Sequence, residues 1–271
     1  MSVREIAPAP PARRVERPGS TPVPGCDHLD MSRSAISRRP RTGLVAAAVA
    51  ALLLAGCGAA EDSPQEPTST GTTAAATAQR TPATGTTGDV TVTESSVILG
   101  DPDAPERVHV YQDLNCPHCQ QLHGLMAGDV AQWAQGSDVA VEVTVVDYLG
   151  PRTAHAFSTR GANLLALVAD VDPEAWPAVQ DALLDMQPST TTEEITDEQL
   201  VAAAREAGAD LDDADVAALE SLAYSDWVDA ATAQAAAAGV NYIPQVWVDG
   251  ELVGGETHEQ TLELVREAVT D

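Results

Sequence analysis

The chain has 271 residues, and its 41 acidic residues against 14 basic ones, none of them Lys, give a formal net charge of −27 at pH 7. This charge argues against nucleic-acid binding, because every phosphate contact would have to overcome a general repulsion. It indicates solubility rather than a dedicated cationic partner, and the length allows one large domain or two small ones.

The N-terminal region carries the pattern of a secretory signal. Basic residues between 33 and 41 precede an uncharged apolar run over 43–55. The run is shorter than the roughly 20 apolar residues of a transmembrane helix and is typical of a signal peptide. It ends in Leu54-Ala55-Gly56-Cys57, which resembles a bacterial lipobox. That resemblance implies lipid attachment at Cys57 after cleavage, and the alternative is an ordinary cleavage site with an incidental Cys.

Three segments are therefore predicted before the fold begins. Residues 1–30 are an over-extended, disordered start, because Met31 lies where a signal peptide of ordinary length would begin, and residues 31–57 are the signal peptide. Ser37-Arg38-Arg39 resembles a twin-arginine signal without the apolar residues that should follow, so the export route stays open. Residues 58–89 are rich in Thr, Ala, Gly and Pro and predict a flexible tether.

The cysteines leave one pair for the exported domain. Cys26 lies in the leader and Cys57 is the lipidation candidate, so Cys116 and Cys119 remain. A framework of several disulfides is excluded. The pair must then be catalytic, metal-binding or a small local staple.

Metal binding has little support from the residues near the pair. A tetrahedral zinc site needs four ligands, and beyond the two cysteines this segment offers only His118 and His123. A covalent haem would need His directly after the second Cys, where the chain has Gln120.

Redox chemistry follows from the position of the pair. A β-like run over 107–111 is followed by a helical stretch from Pro117 to about residue 135, with Pro favoured in the first turn. Cys116 lies at the helix start, where free N–H groups and the dipole stabilise a thiolate, and a protonated or hydrogen-bonding His118 would add to this. A stabilised thiolate makes the disulfide a stronger oxidant. A purely structural disulfide between Cys116 and Cys119 would close too small a loop to constrain the unfolded chain.

Several stretches together carry a family resemblance. They are residues 100–105 (Gly-Asp-Pro-Asp-Ala-Pro), 113–119 (Asp-Leu-Asn-Cys-Pro-His-Cys), 157–163, 182–188 and 239–250. Over about residues 96–271 the chain resembles the DsbA-like branch of the thioredoxin superfamily. The resemblance implies an α/β, thioredoxin-like fold with an inserted helical domain, catalysis by Cys116 and Cys119, and no cofactor beyond their disulfide.

A proline forms the second landmark. Pro244 precedes an alternating strand and a hairpin signal at 249–250. From the residues alone we expect a trans bond, because only about 5% of X–Pro bonds in folded proteins are cis. The resemblance implies instead a cis Ile243–Pro244 bond that faces the cysteines, with the Ile243 backbone pairing with a substrate peptide in β fashion.

The chain departs from many DsbA-like relatives at two positions. Val110 stands where they carry a buried carboxylate that assists proton transfer, which leaves Asp113 or water as the proton route. Asn115 replaces a frequent aromatic residue beside the first Cys.

The remaining pattern predicts a strand at 139–146, helices over 154–169, 174–186, 196–208, 212–223 and 226–238, and a closing helix at 256–270. This long helical span favours an insertion at about 151–238 within a thioredoxin-like domain at 90–271. His258 and the other isolated histidines are assigned to the surface or to packing.

The sequence thus predicts an exported, lipid-anchored monomer on the outer face of the bacterial cell membrane that oxidises reduced secreted proteins. Cys116 and Cys119 are the catalytic residues, Pro117, His118 and Asp113 tune them, and no metal is predicted. By family analogy, a membrane quinone-linked partner would re-oxidise the pair. The alternatives are a disulfide reductase or isomerase, and a non-enzymatic lipoprotein that docks a partner or carries a metal.

Overall fold

The computed structural model describes residues 78–190 and 192–269. The strands of this part of the chain are β1 (Gly85–Thr87), β2 (Val90–Val92), β3 (Val97–Leu99), β4 (Glu106–Gln112), β5 (Val139–Val145), β6 (Gln245–Val248) and β7 (Glu251–Val253). They form one sheet in the order β1-β2-β3-β5-β4-β6-β7. The predicted signal peptide and Cys57 lie outside the described residues.

The centre of the sheet is the parallel pair of β4 and β5, and every other pair is antiparallel. β5 reads Val-Ala-Val-Glu-Val-Thr-Val, and all of its residues except Glu142 are buried. Such a continuous apolar run is expected of a strand that is covered on both faces. The predicted strands at 107–111 and 139–146 are confirmed, and β4 ends four residues before Cys116.

The described residues form seven α-helices. They are α1 (Pro117–Ala134), α2 (Phe157–Val171), α3 (Trp176–Asp185), α4 (Asp197–Glu206), α5 (Asp213–Glu220), α6 (Ser225–Ala237) and α7 (His258–Ala268). α1 and α6 both pack on β5, and α7 packs on α1 and β6. Helices α2 to α6 come between β5 and β6 in the chain, which confirms the predicted fold class with its helical insertion.

Local sequence explains where the inserted helices begin. Thr196 and Gln199 form the predicted capping box at the start of α4, and Asp212 caps α5 through the N–H groups of Ala214 and Asp215. These caps satisfy N–H groups that have no partner within the helix. The insertion is therefore a set of defined helices rather than a loop.

A glycine brings the insertion close to the cysteine motif. Gly161 lies in α2, and a Cβ atom built on it would be 2.7 Å from Cδ1 of Leu114. Leu114 is fully buried and lies two residues before Cys116. A larger residue at position 161 would require the Leu114 side chain to shift.

The tether prediction was wrong for the last residues of its range. Residues 85–87 form β1, which pairs with β2. Before it, the Arg80 N–H donates to the Ala223 carbonyl at 2.6 Å, and the Ala83 N–H donates to Asp170 at 3.0 Å. The folded domain therefore includes residues before 90. Between residues 78 and 269, residue 191 aside, no helix has the length and apolar character needed to cross a membrane.

Candidate active site

Cys116 is the N-cap residue of α1. Its backbone is extended (φ −96°, ψ 115°), and Pro117 begins the helix. The Cys116 side chain makes no regular capping hydrogen bond. The N–H groups of His118 and Cys119 in the first turn are nevertheless close enough to its sulfur to lower the pKa of Cys116. The expected anion-stabilising position at the helix start is present.

The structure describes both cysteines as free thiols, with unequal acidity. A hydrogen bond from the Cys119 thiol is the main effect that lowers the pKa of Cys116 to about 6, and backbone N–H groups of Cys119 and His118 act in the same direction against burial. At neutral pH, Cys116 is therefore mostly a thiolate, the nucleophilic form of the side chain.

Cys119 lies deeper and is held as a thiol. It is 1% exposed, and its Sγ accepts the Asp113 N–H at 3.4 Å. Burial, followed by its donation to the Cys116 sulfur, raises the pKa of Cys119 far above that of a free thiol. Val110, from β4, lines a small cavity beside it. The pair thus combines an outer thiolate with an inner, protonated partner.

The proline landmark lies directly opposite the pair. The Ile243–Pro244 peptide bond is cis, as the family resemblance implies, and Pro244 stands immediately before β6. The carbonyl oxygen of Ile243 is 3.9 Å from Cys116 Sγ, a distance at which the thiol form can donate a weak hydrogen bond. Residues 127 positions apart in the chain are thus neighbours at the reactive sulfur.

The His118 side chain contacts a second histidine. Nδ1 of its ring lies 3.2 Å from Nε2 of His258, the first residue of α7. The part of His118 that supports the Cys116 thiolate is its backbone N–H. This contact agrees with the assignment of His258 to the surface or to packing, and no local pattern marks a contact across 140 residues.

Asp113 is a fully buried carboxylate between the motif and the insertion. Its Oδ2 accepts the N–H groups of Tyr148 and Leu149, each at 2.9 Å. Its Oδ1 accepts the Asn115 N–H at 2.9 Å and the hydroxyl of Ser158. Burial raises the pKa of Asp113, although the bonds from Ser158, Asn115 and Leu149 oppose the rise.

The charge of Asp113 acts against the thiolates. It contributes toward a higher pKa at both Cys116 and Cys119, and at Cys116 it opposes the hydrogen bonds that lower the pKa. Since both carboxylate oxygens already accept hydrogen bonds, the contacts favour a role in fixing the loop before Cys116.

The insertion also holds the start of α1. Gln187 Nε2 donates to the Cys116 carbonyl at 3.0 Å, and Gln120 Nε2 donates to the Leu184 carbonyl at 2.7 Å. These bonds fix the cysteine motif against the end of α3. The sequence pattern contains no signal for either bond.

A groove of about 480 Å³ opens beside the cis-proline, and His118, Tyr242, Pro244, Leu252 and His258 are part of its lining. Tyr242 and Leu252 are among the most exposed large apolar residues of the described chain. The groove therefore offers apolar surface next to Cys116.

The zinc alternative has no geometric support around the cysteines. Among the described residues, no three His, Cys, Asp or Glu side chains come together as metal ligands would. The histidines that the sequence offered as ligands have other neighbours: His118 contacts His258, and His123 contacts Asp181.

A family model and solved structures match this chain. The model described as Thioredoxin matches residues 92–270. Oxidised DsbA from Mycobacterium tuberculosis is 25% identical with a TM-score of 0.52, over 65% of this chain and 93% of that one. Reduced DsbG from the same organism, a disulfide bond oxidoreductase, is 25% identical with a TM-score of 0.52, over 64% and 84%.

BdbD from Bacillus subtilis has a TM-score of 0.58 and covers 70% of this chain and 100% of its own. At 17% identity that likeness concerns the fold alone. No curated protein sequence matches the chain.

Proposed function

Because the chain belongs to the thioredoxin family and has the DsbA-like fold, we propose that this thiol-disulfide oxidoreductase oxidises thiol pairs in exported proteins. The observation that carries the proposal is the unequal acidity of the cysteine pair. The pKa of Cys116 is lowered to about 6, while that of Cys119 is raised by burial. The Cys116 sulfur then forms the mixed disulfide with the substrate and later leaves as a thiolate, and Cys119 is the resolving cysteine.

The reaction consists of two thiol–disulfide exchanges. A substrate thiolate attacks Cys116 Sγ, the Cys116–Cys119 bond breaks, and Cys119 leaves as a thiolate that takes up a proton. A second substrate thiolate attacks the substrate sulfur of the mixed disulfide, and Cys116 leaves as a thiolate. Two electrons pass from the substrate to the cysteine pair, and one of the two substrate protons stays on Cys119.

The acidity of Cys116 favours oxidation of the substrate over reduction. A thiol of low pKa is a good leaving group, and a stabilised thiolate stabilises the reduced enzyme, which raises the reduction potential of the pair. Pro117 supports this by starting the helix at the motif. His118 contributes its backbone N–H.

The substrate peptide binds beside the cis-proline. Its cysteine must approach Cys116 in line with the enzyme disulfide, next to the Ile243 carbonyl and Pro244. An extended peptide there would pair with the Ile243 backbone, and its apolar side chains would contact Tyr242 and Leu252 in the groove.

The place of action is the outer face of the cell membrane. The sequence of 31–57 supports export and cleavage, with a lipid on Cys57 as anchor and the tether as spacer. A membrane quinone-linked protein would then accept the electrons and restore the disulfide. A Cys57→Ser variant tests the anchor. The variant should either appear in the soluble fraction or keep its signal peptide uncleaved, whereas the wild type should be recovered with the membranes.

The decisive assay for the activity is oxidative folding of a reduced test protein. The oxidised wild type should form disulfides in the substrate at a rate proportional to enzyme concentration. Cys116→Ser should abolish that rate, because no mixed disulfide can form at the outer position. A Cys116→Ser protein of full activity would overturn the proposal, and a preference for reducing the test protein's disulfides would favour a reductase.

A further inference from the structure

Cys119 exchanges a proton whenever a mixed disulfide forms or resolves, yet its sulfur is enclosed. It is 1% exposed, and the Asp113 N–H that contacts it can donate a hydrogen bond but cannot accept a proton. The Asp113 carboxylate is already bonded to the Asn115, Tyr148 and Leu149 N–H groups. The proton therefore needs another contact of Cys119.

A cavity of about 20 Å³ lies against Cys119, and Gln112 and His123 are part of its lining. This volume is enough for one water molecule. Gln112 is 1% exposed, and its Nε2 has no hydrogen-bond partner among the described residues. Buried amide groups are seldom left without a partner, so we expect a water in the cavity that accepts a hydrogen bond from Gln112.

His123 stands between this cavity and the surface. It follows Cys119 by four residues in α1, so both side chains lie on one face of the helix. Besides the inner cavity, His123 lines a groove of about 330 Å³ that opens between α1 and α3. Its Nε2 lies 2.7 Å from Oδ1 of Asp181 in α3.

We propose that His123, through a water positioned by Gln112, carries the proton of Cys119 to and from solvent. The proposal rests on the proposed function, because only a pair that forms mixed disulfides needs the transfer. His123 is then a proton-relay residue and Gln112 a positioning residue, neither of them touching the substrate.

The step balances in both directions. When substrate attack on Cys116 breaks the enzyme disulfide, Cys119 leaves with the bonding electron pair. The water protonates it and receives a proton from His123, which is replenished from solvent. When Cys119 instead attacks a mixed disulfide at Cys116, its proton passes to the water and His123, a new S–S bond forms, and the outer thiolate leaves.

The surroundings of His123 suit this role. A ring that donates Nε2–H to Asp181 keeps Nδ1 as its proton acceptor. Asp181, Glu174 and Asp89 are the charged groups in the linings that face His123, and among the described lining residues there is no Arg or Lys. The paired histidines at 118 and 258 line the other groove, so the two sites can be tested separately.

A two-step reaction with an aromatic disulfide, dithiobis-nitrobenzoate, separates the relay from the nucleophile. In the first phase Cys116 attacks the reagent and releases one coloured thiolate. In the second, Cys119 attacks Cys116 Sγ and releases the other. With His123→Ala we expect a first phase within about two-fold of wild type and a second phase slowed about ten-fold or more at pH 7, since general base catalysis typically contributes at least that much.

Three further measurements distinguish proton transfer from a structural defect. Added imidazole should restore the second phase of His123→Ala, the slowing should diminish as pH rises, and Gln112→Leu should slow the second phase alone. The matched control is His155→Ala, since His155 pairs with Glu194 and lines neither cavity; both of its phases should match wild type.

The outcomes separate the two proposals. A second phase of His123→Ala within two-fold of wild type, or equal slowing of both phases without imidazole rescue, would overturn the relay while leaving the enzyme assignment intact. A wild-type protein without a fast first phase would contradict the proposed function itself, and the relay with it.

Discussion

Nδ1 of His118 lies 3.2 Å from Nε2 of His258, and the two rings meet edge to face with their centroids 5.3 Å apart. A contact of this kind joins one N–H to one lone pair. It holds the only ionisable side chain between the two cysteines against α7. The ring is therefore engaged elsewhere while the backbone N–H of His118 supports the Cys116 thiolate.

Loss of His258 should make Cys116 more acidic. In His258→Ala the ring of His118 is free to turn toward the thiolate as a donor, which we expect to lower the pKa of Cys116 by about half a pH unit. The ultraviolet absorbance of the thiolate against pH measures this. The double variant His118→Ala/His258→Ala is the control and should not show the decrease. A higher pKa in His258→Ala would mean that the pair itself supports the thiolate.

Loss of the Cys119 thiol should make Cys116 less acidic. The hydrogen bond from Cys119 is the main cause of the low pKa of Cys116. Cys119→Ala removes the donor, so the pKa of Cys116 should rise by about one pH unit or more. Cys119→Ser keeps an O–H donor of similar size and should stay closer to wild type. Equal pKa values in the two variants would show that the inner thiol does not control the outer one.

Asp113→Asn should lower the stability of the fold and also lower the pKa of Cys116. The amide cannot accept all the hydrogen bonds that reach the carboxylate from Tyr148, Leu149 and Ser158, so the free energy of unfolding should fall by about 1–3 kcal/mol in denaturant titrations. Because the carboxylate charge raises the pKa of Cys116, its removal should lower that pKa. A less stable protein with a higher Cys116 pKa would contradict this.

The reduction potential should change its pH dependence near the pKa of Cys116. Above about pH 6 the reduced pair carries one thiolate and one thiol, so reduction takes up one proton and the potential falls by about 30 mV per pH unit. Below about pH 6 both sulfurs are protonated, and the slope steepens to about 59 mV per pH unit. Equilibration with a redox buffer from pH 4.5 to 8.5 measures both slopes. A single steep slope to pH 8 would place the thiolate pKa at an ordinary value.

Local sequence was sufficient for the parts of the site that one segment builds. Pro117 and the apolar spacing predict α1 with Cys116 at its start, and the valines predict β4 and β5. These features depend on backbone propensity and periodicity, which act over a few residues. The cis form of the Ile243–Pro244 bond followed only from family resemblance, because local chemistry favours trans.

Contacts between segments that are distant in the chain could not be predicted from the sequence pattern. β1, β2 and β3 have three residues each, too few for an alternation to be recognised. The contact between His118 and His258 and the cavity lined by Gln112 and His123 arise from tertiary packing. Gln112 had no distinguishing signal, because its unpaired amide exists only once the sheet and α1 enclose it.

The reduction potential of the Cys116–Cys119 pair at pH 7, measured by equilibration with glutathione, decides whether the protein oxidises or reduces its substrates. A Cys116 thiolate stabilised as described stabilises the reduced form. We expect a potential less negative than about −200 mV, in the range of disulfide oxidases and isomerases. A value near the roughly −270 mV of thioredoxin would contradict it and identify a reductase.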